Sequence, residues 1–317
     1  MNDINMLDLG WGITQLDTHF QRPNMAACYI VQDAGEVAII ETGTKDTVPL
    51  ILECLKQLGL SESQVKYIIP THVHLDHAGG VGLLMQTLPK ATLVVHEKGA
   101  RHMIDPSKLQ AGATAVYGAA EFNKTYGNLL PVDKKRVISP SHKETLNLGE
   151  RVLTFLDTPG HARHHFCIFD GISEGFFTGD TFGLAYQELT TELGPFLFPT
   201  TTPVQFDPEA LKNSIRLLLD YAPKRMFLTH YGVLDNPSAH GERLITQVDE
   251  LVSLAKTAAQ ECEPSSEEYV SLLNQMLMTH FLANLKKHNC LLSVEEQQAV
   301  IKTDVLLNAQ GLGVWLS

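Results

Sequence analysis

Short apolar runs and helical apolar stripes alternate along the first three quarters of the chain. Residues 28–33 and 36–41 are apolar runs joined by Ala34-Gly35, which predicts two strands in a hairpin. Four apolar residues then recur at helical spacing, Val48, Ile51, Leu52 and Leu55. Further strands are predicted near 66–70, 92–96, 143–148, 152–157, 165–170, 175–178 and 225–229. This alternation is typical of an α/β protein.

From about residue 240 the pattern becomes purely helical. Ser265 with Glu268 and Ser293 with Glu296 have the spacing of capping boxes, which predicts two helix starts there. Upstream, Asp207-Pro208 predicts the start of another helix by N-cap and N1 chemistry. We therefore expect an α/β domain over 1–238 and a helical C-terminal extension over 239–317.

Two segments depart from the regular pattern. Residues 105–135 are rich in Ala, Gly and Tyr and predict a partly helical insertion. Residues 182–206 are nearly uncharged and aromatic, and they are longer than a simple connection requires. They can either line a substrate pocket or pack against the insertion.

Composition and net charge limit the kinds of partner that this chain is expected to bind. The 317 residues are 44% hydrophobic, with a formal net charge of −12, which disfavours a nucleic-acid partner. Five scattered cysteines without a C-x-x-C pair favour a reducing compartment. Because residues 1–10 resemble no signal peptide and no long apolar run occurs, we expect a cytoplasmic protein with no membrane partner.

Residues 71–80, Thr-His-Val-His-Leu-Asp-His-Ala-Gly-Gly, concentrate the candidate chemistry. They follow an apolar strand and hold His72, His74, Asp76 and His77 within six positions. Imidazole and carboxylate are common ligands of divalent metals, and this spacing offers them from one short loop.

Three more residues of ligand type follow apolar strands, namely His161, Asp180 and His230. Strand ends meet at one edge of a sheet in α/β folds, so seven side chains are expected to converge. Seven histidines elsewhere in the chain have no ligand-like spacing: His19, His96, His102, His142, His240, His280 and His288.

The ordered set T-H-x-H-x-D-H-x-G-G, G-H, G-D and T-H resembles the metallo-β-lactamase-fold hydrolase superfamily over roughly residues 5–235. The resemblance implies a four-layer αβ/βα sandwich with two divalent metal ions, zinc being expected and iron or manganese the alternatives. It assigns His72, His74 and His161 to the first metal. It assigns Asp76, His77 and His230 to the second metal, with Asp180 as the bridge.

Two such ions about 3.5–4 Å apart share a water and lower its pKa, which yields a hydroxide that attacks a carbonyl. The resemblance thus predicts a hydrolase that acts on a thioester, lactone or related ester of a small-molecule substrate, close to the glyoxalase II-like and lactonase-like branches. Asp76 is the catalytic candidate, because it can also orient the nucleophile or pass a proton. Thr71, Thr229 and Glu41 are candidates for hydrogen bonds to the ligands.

The chain departs from the family at three places. Glu41-Thr-Gly43 stands where Asp-x-Gly is common, and Gly183 stands where lactonases carry a tyrosine. Arg163 and His164 alter the usual G-H-T-x-G-H loop, and they either contact an anionic substrate group or lie in a solvated loop. Alternative functions are an iron-dependent oxidoreductase, diiron or persulfide dioxygenase-like, a phosphodiesterase, and a non-enzymatic binding protein. A homodimer through the C-terminal helices is a further expectation, since Trp315 lies in an apolar tail.

Overall fold

Two β-sheet layers and a set of long helices account for most of the chain. The computed structural model describes residues 4–202, 204–264 and 266–317, without the side chains of residues 116 and 117. The chain folds as two compact units. The first unit is Met1–Asp157 with His164–Gly179, and the second is Thr158–Arg163 with Asp180–Ser317. The predicted boundary between 238 and 239 falls inside the second unit and stays a prediction.

The first unit contains a seven-stranded sheet whose strands lie in chain order. The strands are β1 (Met6–Asp8), β2 (Ile13–Asp17), β3 (Ala27–Asp33), β4 (Glu36–Ile40), β5 (Val65–Ile69), β6 (Thr92–Val94) and β7 (Val137–Ile138). β1 to β4 pair antiparallel and β4 to β7 pair parallel. The predicted hairpin is confirmed, because Ala34 and Gly35 both adopt positive φ between β3 and β4.

Helices connect the parallel strands of this sheet. They are α1 (Val48–Gln57), α2 (Leu75–Ala78), α3 (Val81–Thr87), α4 (Glu97–Ile104), α5 (Ser107–Tyr117) and α6 (Ala119–Thr125). Buried apolar residues of β2 to β6, such as Ile39 and Ile68, form one core with Ile51 of α1 and Leu84 of α3. Helices α5 and α6 confirm the partly helical character predicted for 105–135.

Four antiparallel strands of the first unit belong to a second sheet, in the order β8 (Thr145–Leu148), β9 (Arg151–Asp157), β10 (Phe166–Asp170) and β11 (Gly175–Phe177). Arg151 is buried in this sheet, and its Nη1 lies 2.6 Å from Oδ2 of Asp170. Its Nη2 donates to the carbonyl of Trp11. A buried guanidinium needs such partners, because an uncompensated charge there is costly.

The second unit contains α7 (Pro208–Leu219), the hairpin β12 (Arg225–Leu228) and β13 (Gly232–Asp235), and three long helices. These are α8 (Pro237–Ala258), α9 (Glu267–Lys287) and α10 (Val294–Leu316). Asp207 caps α7 as predicted, since its Oδ1 accepts from the amide of Ala210 at 3.0 Å. The capping box of Ser293 is also confirmed. Ser265 lies outside the described residues, and Ser266 is the N-cap of α9.

The nearly uncharged segment 182–202 packs against α9 and α10 within the second unit. The Tyr186 hydroxyl donates to Asp304 at 3.1 Å, and the Thr201 amide donates to Asn308 at 2.7 Å. Phe198 contacts Phe281 edge-on, with ring centroids 5.5 Å apart. Aromatic packing and buried hydrogen bonds therefore explain much of its composition.

No helix among the described residues is both long enough and apolar enough to cross a membrane.

Candidate metal centre

The histidine cluster of the first unit occupies the turn between β5 and α2. The chain leaves β5 at Ile69, bends at Thr71 and His72, and begins α2 at Leu75, with His74 as an extended N-cap residue. Nε2 of His72 lies 2.9 Å from Nδ1 of His74. Asp76 and His77 lie in the single turn of α2, with His77 Nε2 3.6 Å from Asp76 Oδ2. The four predicted ligands of this unit are thus neighbours.

Buried Glu41, directly after β4, orients this cluster. Its Oε2 accepts from the amide of Thr71 at 3.1 Å, and its Oε1 accepts from the Thr71 hydroxyl at 2.5 Å. His77 Nδ1 lies 3.0 Å from the same Oε1 and donates to it. Because the Thr71 proton points to Glu41, Nδ1 of His72, 3.1 Å away, donates to the Thr71 oxygen. Both imidazoles then keep Nε2 as the nitrogen with a lone pair, which a metal requires.

His164 is buried beside these rings. The amide of Val73 donates to its Nδ1 at 3.5 Å, and its ring lies parallel to that of His72 with centroids 6.2 Å apart. Burial, and secondarily the neighbouring imidazole of His74, lower the pKa of His164 to about 3. His164 is therefore a neutral side chain and not part of a solvated loop. Arg163 is exposed, as the solvated-loop interpretation predicted.

The second unit holds the other three predicted ligands. Asp180 Oδ2 lies 3.3 Å from Nε2 of His161, and Oδ1 lies 3.8 Å from Nε2 of His230. One carboxylate thus directs one oxygen to each of two imidazoles. All three side chains are more than nine-tenths buried, which increases the strength of their electrostatic interactions.

Two glycines of the motifs have a steric role. Gly160 has a φ of +133°, and a Cβ at this position would collide with the backbone of Leu211 in α7. Gly179 has a φ of +48°, and a Cβ there would collide with the Thr71 hydroxyl and the His165 ring. Only glycine therefore allows His161 and the end of β11 to follow these backbone paths.

His96, which has no ligand-like spacing in the sequence, has a structural role. Its Nδ1 accepts from the amide of Lys98 at the start of α4, at 3.1 Å. Its Nε2 lies 2.9 Å from Asp157, and this hydrogen bond lowers the pKa of the Asp157 carboxyl. It contributes no ligand to either cluster.

The donor sets of both units fit a divalent cation. They consist of imidazole nitrogens and carboxylate oxygens, the ligand types of zinc, iron and manganese sites. The chain therefore has His/Asp clusters that can hold metal.

Comparison with known proteins places this geometry in a family. The family model of the metallo-beta-lactamase superfamily matches residues 22–230. The metallo-beta-lactamase fold-containing protein ST1585 of Sulfurisphaera tokodaii is 27% identical over 216 residues, which cover 67% of this chain and 75% of that protein. Its crystal structure matches with a TM-score of 0.64 at 22% identity, over 95% of this chain and 98% of that one.

Two relatives carry the names of hydrolases. The N-acyl homoserine lactonase AttM of Agrobacterium fabrum is 30% identical over 112 residues, or 35% of this chain and 38% of that protein. A probable hydroxyacylglutathione hydrolase of Schizosaccharomyces pombe is 26% identical over 160 residues, or 50% of this chain and 48% of that protein.

The fold-class prediction is confirmed: the chain has the α/β sandwich fold of these proteins, with additional C-terminal helices. The superfamily consists mostly of metal-dependent hydrolases and usually binds divalent metals. Since the family model matches more than half of its length, the chain belongs to the metallo-β-lactamase superfamily.

Proposed function

We propose that the protein is a hydrolase that uses two divalent metal ions, with zinc as the expected metal. The first ion would be held by His72, His74 and His161. The second would be held by Asp76, His77 and His230, and Asp180 would bridge the two ions. The observation that carries this proposal is the Asp180 carboxylate, which directs one oxygen to His161 and the other to His230. His161 and His230 are assigned to different ions. A carboxylate that bridges two ions must direct one oxygen toward the ligands of each ion.

A two-metal site supplies an activated water at neutral pH and polarises the carbonyl of the substrate. The residues of this chain prepare that chemistry. Glu41 and Thr71 hold His77 and His72 in the tautomer that binds metal through Nε2. Asp76 is about a quarter exposed, so its carboxylate can accept a proton from the nucleophile or deliver one to the leaving group.

We propose a carbonyl-centred ester as substrate, either a thioester or a lactone. The names of the lactonase and hydroxyacylglutathione hydrolase relatives support this class. Gly183 stands where lactonases carry a tyrosine, and the hydroxyl of the nearby Tyr186 is buried against Asp304. This chain therefore lacks the usual lactonase tyrosine at that position.

The proposed partner is this small-molecule substrate, and we propose neither a nucleic-acid partner nor a membrane partner.

The homodimer through the C-terminal helices stays a prediction. Leu306 and Val314 of α10 are 42% and 45% exposed and offer an apolar surface for it. Light scattering tests it, and a monomer would contradict it.

A substrate panel tests the hydrolase proposal. Zinc- and manganese-loaded protein is assayed against thioesters, lactones, β-lactams and phosphodiesters, and metal content is measured by plasma emission. We expect about two metal ions per chain and turnover of a thioester or lactone. Stoichiometric iron with O₂ or peroxide chemistry, or turnover of phosphodiesters alone, would overturn the proposal.

Removal of single ligands tests the site itself. We expect His72→Ala and Asp180→Ala each to lose bound metal and to lower hydrolysis at least 100-fold, since a ligand set missing one member holds metal poorly. His142→Ala is the matched control, because His142 is exposed and belongs to neither cluster. Full metal content and full activity in both ligand variants would place the site elsewhere.

A further inference from the structure

A cavity lies wholly within the second unit. Its volume is about 430 Å³, and it is lined by α8, the C-terminal end of α9 and residues 193–197. None of the seven proposed metal ligands lines it. A cavity of this size is large enough for a small organic molecule.

Gln247 of α8 lines this cavity and is 2% exposed. Neither its amide nitrogen nor its amide oxygen has a hydrogen-bonding partner among the described residues. Buried polar groups almost always have such partners, because an unsatisfied donor or acceptor is costly. A primary amide that offers one donor and one acceptor is complemented by another amide, which offers the same two groups in return.

Two cations accompany Gln247 at the cavity. Arg243 lies one helical turn earlier on the same face of α8, and Lys287 lies near the end of α9. The ion pairs of the described residues include neither side chain. Glu250 also lines the cavity, but His280 lies 3.2 Å from its carboxylate. Arg243, Lys287 and Glu250 together give the lining one more positive charge than negative charge, which suits a monoanion.

One part of the cavity wall is apolar and held in place. Leu193, Pro195, Phe196 and Leu197 line it. His288 fixes this loop, because its Nε2 donates to the carbonyl of Gly194 at 2.9 Å and its ring contacts that of Phe196 at 5.4 Å. The cavity therefore combines a hydrogen-bonding amide, a positive rim and a preformed apolar surface.

We propose that this cavity is a second binding site, separate from the proposed metal centre, for a small carboxylate that carries an amide and an apolar group. The ligand amide pairs with Gln247, and the carboxylate lies between Arg243 and Lys287. Gln247 and Arg243 are neighbours at i and i−4, so the amide and the carboxylate of the ligand must also be close together. An N-acylated apolar amino acid has this arrangement.

Matched probes test each part of this recognition. N-acetyl-L-leucine contains all three groups, N-acetyl-L-leucinamide lacks the charge, and 4-methylpentanoate lacks the amide. In titration calorimetry on the full chain we expect the first probe to bind, and each of the other two to bind roughly tenfold more weakly, about what one charge-assisted hydrogen bond contributes. No binding of N-acetyl-L-leucine, or equal binding of all three, would overturn the proposal.

Two variants and one control locate the site. Gln247→Met keeps the volume and removes both amide groups, so we expect it to lose at least tenfold in affinity while its melting temperature does not fall. Arg243→Gln is expected to weaken binding, whereas Arg216→Gln, an exposed arginine on α7, is not. Unchanged affinity in Gln247→Met would contradict the assignment.

The test is independent of the hydrolase proposal. We expect the same affinity in metal-loaded and in chelator-treated protein, because no lining residue is a proposed metal ligand. Binding that requires metal would overturn the proposal, since it would place the probe at the metal centre.

Discussion

Glu41 accepts hydrogen bonds from the backbone and hydroxyl of Thr71 and from the ring of His77. An acceptor with two oxygens and a full charge serves all three donors, whereas an amide of the same shape presents a donor of its own to one of them. We therefore expect Glu41→Gln to bind metal 10–100-fold more weakly, as is typical when a partner of a ligand is removed.

Competition with a chromogenic chelator measures this loss. The control is Glu62→Gln, which changes an exposed glutamate that belongs to neither ligand cluster and should leave metal affinity unchanged. Equal affinities of wild type and Glu41→Gln would show that the three hydrogen bonds do not support the ligands.

At the residue scale, the sequence predicts the candidate metal ligands better than the residues that form hydrogen bonds with them. His72, His74, Asp76 and His77 are recognisable because their spacing is local. Glu41 is 36 positions before His77, so spacing names it only as a candidate, and only the structure shows which ring it holds. The sequence does not reveal the burial of His164 either, because its neighbours Val73 and His72 are some 90 positions away along the chain.

At the element scale, the N-terminus of α7 depends on Asp207. Its side chain accepts from the Ala210 amide, and Pro208 occupies the first turn. We expect Asp207→Ala to destabilise the protein by about 1 kcal/mol, because one N-terminal amide then loses its acceptor. Urea denaturation measures this change.

Glu209→Ala is the matched control on the same helix. Glu209 is exposed and pairs with Lys212, which keeps Asp249 as a second partner, so we expect its removal to cost little stability. A loss in Asp207→Ala no larger than in Glu209→Ala would contradict the capping role.

Helices α8 and α9 carry histidines whose protonation opposes folding. Burial, and secondarily the charge of His288, lower the pKa of His240 below its usual 6.5, and burial lowers that of His280. Below about pH 6.5 the unfolded chain takes up protons that the folded chain does not, so folding stability falls as pH falls. We expect a lower urea midpoint at pH 5.5 than at pH 7.5.

His240→Gln isolates this contribution. The variant cannot take up the proton, so the difference between its midpoints at the two pH values should be smaller than in the wild type. An unchanged difference would show that His240 does not contribute to the pH dependence.

Some helices and strands can be predicted from local sequence signals, whereas very short strands cannot. The hairpin of β3 and β4 and the caps of α7 and α10 follow from local chemistry, and the structure confirms them. The sequence pattern does not predict β1, β2, β7 or β13, which have two to five residues each. Such short strands are stabilised by their neighbours in the sheet and not by a pattern of their own.

At the scale of the whole molecule, the helices after residue 238 complete the packing of earlier residues. Phe198 contacts Phe281, Tyr186 donates to Asp304, and Thr201 bonds to Asn308. A fragment of residues 1–238 loses the later partner of each pair. We expect roughly 3–5 kcal/mol of lost stability, or about 10 °C in Tm for a chain of this size.

Calorimetry of the fragment and the full chain tests this expectation. It also tests the predicted boundary, because a catalytic domain that needs its extension unfolds together with it. A fragment that melts at the temperature of the full chain would show that residues 239–317 form an independent appendage.

The five cysteines differ in their surroundings in a way that matters for labelling. Cys28, Cys54 and Cys167 are buried, and burial raises the pKa of Cys28 and brings that of Cys54 to about 11. Cys262 and Cys290 are partly exposed and both lie in the helical region. Since maleimides react with accessible thiolates, a fluorophore added to the native protein attaches beside α8 and α9. It reports on those helices without a single engineered substitution.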